Sequence, residues 1–374
     1  MVIKMEWHVW DFPDNIRIYF ADEFRLKLFN KLKEICGSRY RLAKILKLHP
    51  MTVKEYELAK SSEGRDVFLP VSVLKKIIDI LKKYECSSLI TEIEKHIKKI
   101  RMSGKGLIIN HPRLPIKESK ELYSFVAHMI GDGCASRGNV PYYCSTNREL
   151  INSFKKDLQV FGEFEPVEYI RKDKTGRETI YLRFPTVISN IVQHILKVKF
   201  TKPDKIPDSI FGAPEECKVA FVRAFFDDEG SVTCGRIYFT QKSKNILEQL
   251  KLLLKSLNIE TSKIYHKKKT NAHQFIILAS SYEKFYSLIK PHHNKKFKLL
   301  KELIEKRRSK PVPIKHKVLN LLQKEYPLTA DVIASKLNLN LKSVIEALCS
   351  LHEEGKIARQ FISSRKPRLW YPRV

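Results

Sequence analysis

Two dipeptides in this chain have the residue types and the setting to do chemistry: Asp132-Gly133 and Glu229-Gly230, whose glycines lie 97 residues apart. Each closes an apolar stretch, FVAHMIGDG in the first case and VRAFFDDEG in the second. A carboxylate at the C-terminal end of a helix opposes the macrodipole, so helix stability does not account for it. If the two helices pack side by side, the two acids meet at one end of the seam. Like charges brought together there need a cation, and oxygen ligands select a hard one such as Mg2+ or Mn2+. An ion held between paired carboxylates can activate water and stabilise the leaving oxygen in phosphodiester cleavage. The two glycines are expected to end the helices by supplying a positive φ.

The surrounding elements repeat. Leu122, Phe125, Val126, Met129 and Ile130 fall on one face of a helix over 121–133. A second apolar helix runs over 218–230. Ala127, Gly131 and Ala224 are small enough for two helix backbones to approach closely. After each helix comes a short strand (142–145 and 236–240), then a helix (147–161 and 243–257), then two strands about a turn (167–184 and 262–278), then a last helix (186–196 and 281–289). The order αββαββα, found twice in under 100 residues each, predicts a pseudo-symmetric domain whose halves relate like subunits of a dimer. One helix ending in Asp-Gly would carry little weight alone; two in the same repeat context carry more.

Of the 374 residues, 43% are apolar, too many for a disordered chain. Lys and Arg number 70 against 41 Asp and Glu, a formal charge of +29. That excess points to a polyanion partner, although charge alone does not separate DNA from RNA. The 7 cysteines show no CxxC spacing, which argues against a zinc ribbon or a disulfide framework. No signal peptide or membrane-length apolar run is present, so a cytoplasmic, nucleoid-associated location in a prokaryotic or archaeal cell is expected. Linkers rich in Gly, Pro and basic residues at 102–115, 202–214 and 307–315 divide the chain. They suggest an N-terminal domain over 1–101, a core over 116–306 (repeats 116–201 and 214–306) and a C-terminal domain over 312–374.

The flanks carry their own patterns. SRYRLAKILKLHPMTVKEYE (38–57) reads as a repressor-type helix-turn-helix in an all-α domain, with Thr52 and Lys54 offered to DNA. Residues 316–372 read as three helices and two strands in the order of a winged helix, with Lys342 at the start of the recognition helix and Arg365 on the wing. The segment 290–317 holds eleven Lys or Arg against two Glu, a run suited to a DNA backbone.

FVAHMIGDG and VRAFFDDEG resemble the two nine-residue motifs of the LAGLIDADG homing endonucleases in their single-chain form. The resemblance covers about half the chain and implies an α+β core whose two sheets form a saddle on the major groove. It implies that Asp132 and Glu229 are the metal-binding and catalytic acids, with Gly131 and Asp228 beside the metal. Asp228 stands where that family prefers a small residue, which leaves open whether Asp228 or Glu229 faces the ion. Asp227 corresponds to a structural position. The family also places a lysine near each centre; Lys295, Lys296 and Lys298 after the second repeat and Lys199 and Lys205 after the first are the candidates, with Lys296 and Lys199 taken first. Readout candidates on the strands are Arg171, Arg177, Tyr181 and Arg183 in the first repeat and Lys263, Tyr265, Lys267 and Gln274 in the second, with the parity that faces DNA left open. The start on Met and the end on Pro-Arg-Val differ from an intein, so a free-standing protein is expected. The implied activity is that of a monomeric, Mg2+- or Mn2+-dependent endonuclease on double-stranded DNA. The alternative is a non-catalytic regulator that uses the same core as a DNA clamp.

Overall fold

The computed structural model describes residues 5–104, 106–135, 140–308, 313–360 and 368–372. They form two compact units, Met1–Ile304 and Glu305–Val374.

The first unit opens with strands β1 (Glu6–Trp7) and β2 (Ile16–Phe20), helices α1 (Asp22–Cys36), α2 (Arg39–Leu46) and α3 (Pro50–Leu58), and strand β3 (Leu69–Pro70). Helices α4 (Val71–Lys83) and α5 (Ser87–Ile93) and strands β4 (Ile97–Met102) and β5 (Ile109–Asn110) follow. The expectation of an all-helical N-terminal domain is corrected here: β3, β2, β4 and β5 make a four-stranded antiparallel sheet. The alternation in IRIYF, which buries Ile16, Ile18 and Phe20 on one side, is a half-buried strand pattern. Its partner β4 lies some eighty residues on, beyond the reach of a local reading. Helices α2 and α3 join through Lys47–His49, with Leu42, Ala43, Leu46 and Val53 turned inward. The expected break between this block and the core is corrected as well. Strand β1 pairs with β6 (Ile116–Lys117), and Asn110 and Glu163 exchange two backbone hydrogen bonds of 2.8 Å, so both blocks share one compact unit.

The first repeat consists of α6 (Lys120–Ile130), β7 (Gly133–Cys134), β8 (Tyr142–Ser145), α7 (Arg148–Leu158), β9 (Val167–Lys172), β10 (Glu178–Arg183) and α8 (Thr186–Ile195). The second consists of α9 (Glu215–Glu229), β11 (Gly230–Thr233), β12 (Arg236–Gln241), α10 (Lys244–Ser256), β13 (Tyr265–Lys267), β14 (Ala272–Ile276) and α11 (Tyr282–Ile289). Each therefore has the αββαββα order, and the sheets have matching topology, β7-β8-β10-β9 and β11-β12-β14-β13. The chain then enters α12 (Asn294–Arg308). Short polar residues start the helices where their side chains can accept from exposed backbone N–H groups: Ser119 for α6, Asn147 for α7 and Ser243 for α10. Each leading helix drives a phenylalanine into its own repeat. Phe125 meets Phe154 at 5.4 Å and Phe184 at 5.6 Å, while Phe226 meets Phe239 at 5.3 Å and Phe285 at 5.1 Å.

The two motif glycines serve a purpose other than the one expected. Gly230 has φ −84°, and Gly133 is also outside the left-handed region. What excludes a side chain is packing. A Cβ on Gly133 would stand 2.5 Å from Met129 Cα, and one on Gly230 would stand 2.0 Å from the Phe226 ring. The chain leaves each helix straight into a strand, folding back against its last turn. Gly230→Ala is expected to destabilise the protein by about 1–3 kcal/mol through overpacking. A urea midpoint indistinguishable from wild type would show that this turn has room.

The second unit carries α13 (Ile314–Lys324), β15 (Leu328–Thr329), α14 (Ala330–Leu337), α15 (Leu341–Glu353), β16 (Ile357–Gln360) and β17 (Leu369–Pro372). Its three-stranded sheet has the order β15-β17-β16. Val318, Leu322, Ile333, Val344, Leu348 and Trp370 belong to a core of its own.

Candidate active site

Helices α6 and α9 pack along one another, with Ala127 and Ala224 buried in the seam. At its acidic end the two motifs face each other at unequal residues, Gly131 and Asp228. A Cβ on Gly131 would lie 2.8 Å from both Asp228 Cβ and Asp228 Oδ2, so the missing side chain on one helix makes room for the carboxylate of the other. That carboxylate is wholly enclosed. His128 Nδ1 lies 2.9 Å from Asp228 Oδ2, and Tyr143 Oη donates to Oδ1 at 2.7 Å. Burial works against a charge on His128, but the carboxylate of Asp228 raises its pKa to about 9. The result is an ion pair across the seam, with a residue of the second repeat gripped by two of the first. His128 Nε2 is buried without a partner.

Glu229 and Asp132 flank this lock. Burial, then the charges of Asp132 and Asp228, push the Glu229 carboxyl up to about 7. Gln241 Nε2 donates to Glu229 Oε1 at 2.7 Å and fixes its direction. Burial, then the charge of Asp228, pushes Asp132 up to about 6. Asp132 nevertheless stays exposed, so solvent screening weakens its share of the effect. Among the described residues no group of three His, Cys, Asp or Glu side chains forms a metal-holding cluster. The two helix ends bring together two carboxylates, Asp132 and Glu229, whose charges act on one another; such hard oxygen donors could hold a cation. That suits an ion which keeps water and takes phosphate oxygens, as Mg2+ does, and not a structural zinc.

The remaining motif residues arrange this end of α9. Asp227 is buried and accepts from the backbone N–H groups of His292 and His293 at 3.0 Å each, which ties the start of α12 to the helix. Lys296 is thereby delivered to the C-terminus of α9, where Nζ donates to the carbonyls of Phe226 (3.1 Å), Asp227 (2.6 Å) and Asp228 (3.2 Å). Its three protons go to the last helix carbonyls, of which that of Phe226 also accepts from Gly230 N, and its charge complements the negative helix end. Burial lowers its pKa, while the four nearby carboxylates hold it up. Lys296→Met is expected to cost about 2 kcal/mol of stability, since hydrogen bonds from a charged group are lost at a buried helix end. A melting temperature within a degree of wild type would contradict this capping role. Lys199 is exposed.

Strand register resolves which parity faces outward. In the first sheet Ile180 and Leu182 are buried, and Tyr181 pairs with Tyr169 and Cys144, Arg183 with Val167 and Tyr142, and Thr179 with Arg171. Arg171, Tyr181 and Arg183 therefore share the open face. There the rings of Tyr169 and Tyr181 stack at 5.1 Å, and Arg171 and Arg183 stand 5.2 Å and 4.7 Å over Tyr169. Arg177 sits exposed in the turn before β10. In the second sheet Phe239 and Phe275 face inward, so Tyr265, Lys267 and Gln274 lie on the open face, with Lys263 exposed just before β13. Tyr142, Tyr169 and Tyr238 join these faces.

On the flanks, Lys54 is exposed on α3 and Thr52 half-buried; Lys342 is exposed at the start of α15, and Arg365 lies outside the described residues. His128, Tyr143 and Gln241 were not singled out as site residues from sequence. A signal existed for Gln241, because it stands two residues before the Ser243 helix start as Ser145 stands before Asn147. A charge at Asp228 opposite a glycine at the equivalent place was another.

Residues 216–290 match the LAGLIDADG-like domain family. A probable translation initiation factor IF-2 of Methanocaldococcus jannaschii is 26% identical over 330 residues, 81% of this chain and 26% of that protein. Elongation factor 2 of Methanopyrus kandleri is 26% identical over 223 residues, 58% of this chain and 16% of that protein. The chain thus spans about a quarter or less of the length of these relatives. Among solved structures, the homing endonuclease I-WcaI bound to its DNA recognition sequence aligns with a TM-score of 0.38 and 19% identity, covering 48% of this chain and 86% of that one.

Proposed function

We propose that this chain is a site-specific DNA endonuclease of the homing type, acting as a monomer on double-stranded DNA with Mg2+ or Mn2+. The observation that carries this reading is the meeting of Asp132 and Glu229, one from each repeat, at the acidic end of the α6–α9 seam. Their mutual repulsion leaves a place that a hard divalent cation would neutralise, and the cation would supply water activation and charge neutralisation at the phosphodiester. Gln241 orients Glu229, Lys296 holds the end of α9, and Asp228 keeps the helices in register without facing the ion itself. The open sheet faces offer Arg171, Tyr181, Arg183, Lys267 and Gln274 to base edges and backbone, where Arg pairs with guanine and Gln with adenine. Thr52 and Lys54 on α3, and Lys342 on α15, would add contacts outside the saddle. No helix among the described residues is long and apolar enough to cross a membrane; work on DNA would place the protein at the nucleoid.

A second reading, a non-catalytic DNA-binding regulator, draws on the helix pair α2–α3 and on the separate second unit, which are more than cleavage requires. Incubating the protein with a supercoiled plasmid library of random inserts, in Mg2+, Mn2+ or EDTA, separates the two. Linear product in metal and none in EDTA is the expected result. Salt-sensitive binding without strand scission, on a target selected by that binding, would favour the regulator.

A further inference from the structure

A second charged feature lies away from the acidic seam. Where the N-terminal block meets the first repeat, a cleft of about 490 Å3 is lined by Lys95, Lys98, His111, Arg113 and Lys117, with Glu94 as its acid. Glu94 is already committed, accepting from Val9 N at 2.7 Å and lying 3.0 Å from His8 Nδ1. Lys117 pairs with Glu6 at 3.3 Å. Lys95, Lys98 and Arg113 are exposed, and their side chains make no hydrogen bond or ion pair among the described residues.

Elsewhere on this surface, lysines pair with nearby acids, as Lys27 does with Glu92 and Lys75 with Asp14. Here three unpaired cations face one concavity, and rigid backbone keeps them there. His111 N donates to Lys98 O at 2.8 Å and Arg113 N to Phe161 O at 3.3 Å, so both walls are tied together. His111 itself holds the left-handed conformation at φ 41°, unusual for a residue with a side chain. A fixed concave cluster of unpaired positive charge is a site for a polyanion. The cleft also adjoins the lead-in to β9, since Glu163 bridges to Asn110 and β9 is the outer strand of its sheet. A duplex lying on that sheet and continuing past its outer edge would run toward these residues.

Building on the proposed DNA-binding function, we propose that this cleft clasps the phosphodiester backbone of duplex flanking the first repeat's half of the site. Lys95, Lys98 and Arg113 would each neutralise a phosphate, lengthening the footprint without reading sequence. Each phosphate contact adds about 0.9 to the magnitude of the slope of log affinity against log salt.

The test is fluorescence anisotropy of the full chain with a 40-base-pair duplex of random sequence, titrated at several KCl concentrations. The variant Lys95→Gln/Lys98→Gln/Arg113→Gln is compared with Lys251→Gln/Lys255→Gln/Lys284→Gln, which removes the same charge from α10 and α11. The expected result is a slope smaller by about 2–3 for the cleft variant and by less than about 1 for the control. Equal losses in both variants, or none in the cleft variant while wild type binds, would overturn the cleft assignment and leave DNA binding intact. Failure of the wild type to bind duplex at all would overturn the functional reading together with this one. Inorganic phosphate at constant ionic strength is the second probe. If it raises the wild-type melting temperature but not that of the cleft variant, and the DNA slopes agree, the cleft takes a small anion and the duplex assignment falls.

Discussion

Replacing Asp132 with Asn and Glu229 with Gln is expected to lower metal-dependent strand scission by about a thousand-fold or more, while raising the melting temperature of the metal-free protein at pH 8. Both effects have one origin. The acids are held near each other, and near Asp228, in a place that disfavours their charged forms. Their folded pKa values of about 6 and about 7 lie above the ordinary values that an unfolded chain would show. Groups raised in this way contribute stability that is complete below about pH 4 and lost as pH rises through their folded values. The metal-free wild type should therefore lose stability between about pH 4 and 7, and the amide variant should lose less, the remainder coming from Asp157 and Asp227, whose carboxyls burial also raises to about 7 and about 6. Water reaches Asp132, so the gain comes mainly from Glu229 and is on the order of 1–3 kcal/mol. Millimolar Mg2+ should restore the wild type at pH 8 and leave the variant unmoved. Thermal melts across pH, run beside plasmid cleavage, check both halves. Metal-dependent cutting that survives in the double variant would remove these acids from the centre.

The second large effect is expected at Asp228. Asp228→Ala should destabilise the protein by about 3–5 kcal/mol, because it leaves His128 as an uncompensated buried charge. Asp228→Asn keeps an acceptor and should cost less. The pair is best measured by a double-mutant cycle in urea, with His128→Phe as the second change, since Phe225 fills the equivalent place in the other repeat. A coupling energy above about 1 kcal/mol is expected for residues in direct contact. Additive losses would mean that the 2.9 Å approach contributes nothing to stability. Retained Mg2+ binding in Asp228→Asn, with a lowered melting point, would separate holding the helices from holding the ion.

How far the sequence reached can be argued residue by residue. The leading helices were legible because Leu122, Phe125, Val126, Met129 and Ile130 keep one period through the whole element. The repeat was legible because the order of elements, unlike any single contact, is a property of the chain. The acids were legible because a carboxylate at a helix end is locally unfavourable, twice. What escaped needed distances that no local pattern contains. Asp228 finds its partners 100 and 85 residues away. The motif glycines invited the common helix-terminator explanation, whereas the cause lies in how closely Met129 and Phe226 fold back upon them. Lys296 was one of the lysines placed near the centre, but its use of all three protons on carbonyls depends on Asp227 holding the two residues that lead into α12. The N-terminal sheet went unread because β3 and β5 span 2 residues each and the central strand β2 finds both of its partners, β3 and β4, fifty or more residues away.

The unequal pair Gly131 and Asp228 also bears on the history of the fold. Repeats of this kind suggest an ancestor in which two identical halves came together, and such halves would be interchangeable. These are not. A pairing of two second repeats would press Asp228 against its own copy, with Phe225 and Phe239 in place of His128 and Tyr143, leaving two enclosed charges and no donor for either. A pairing of two first repeats would set glycine against glycine and strand two histidines. A chain rebuilt from two copies of the second repeat is expected to fail to fold, as circular dichroism would show, and restoring His and Tyr at positions 225 and 239 in one copy and Gly at 228 should recover it. A half that carries this enclosed charge can pair only with a half that accommodates it, so the two halves are no longer interchangeable and act as parts of a single molecule.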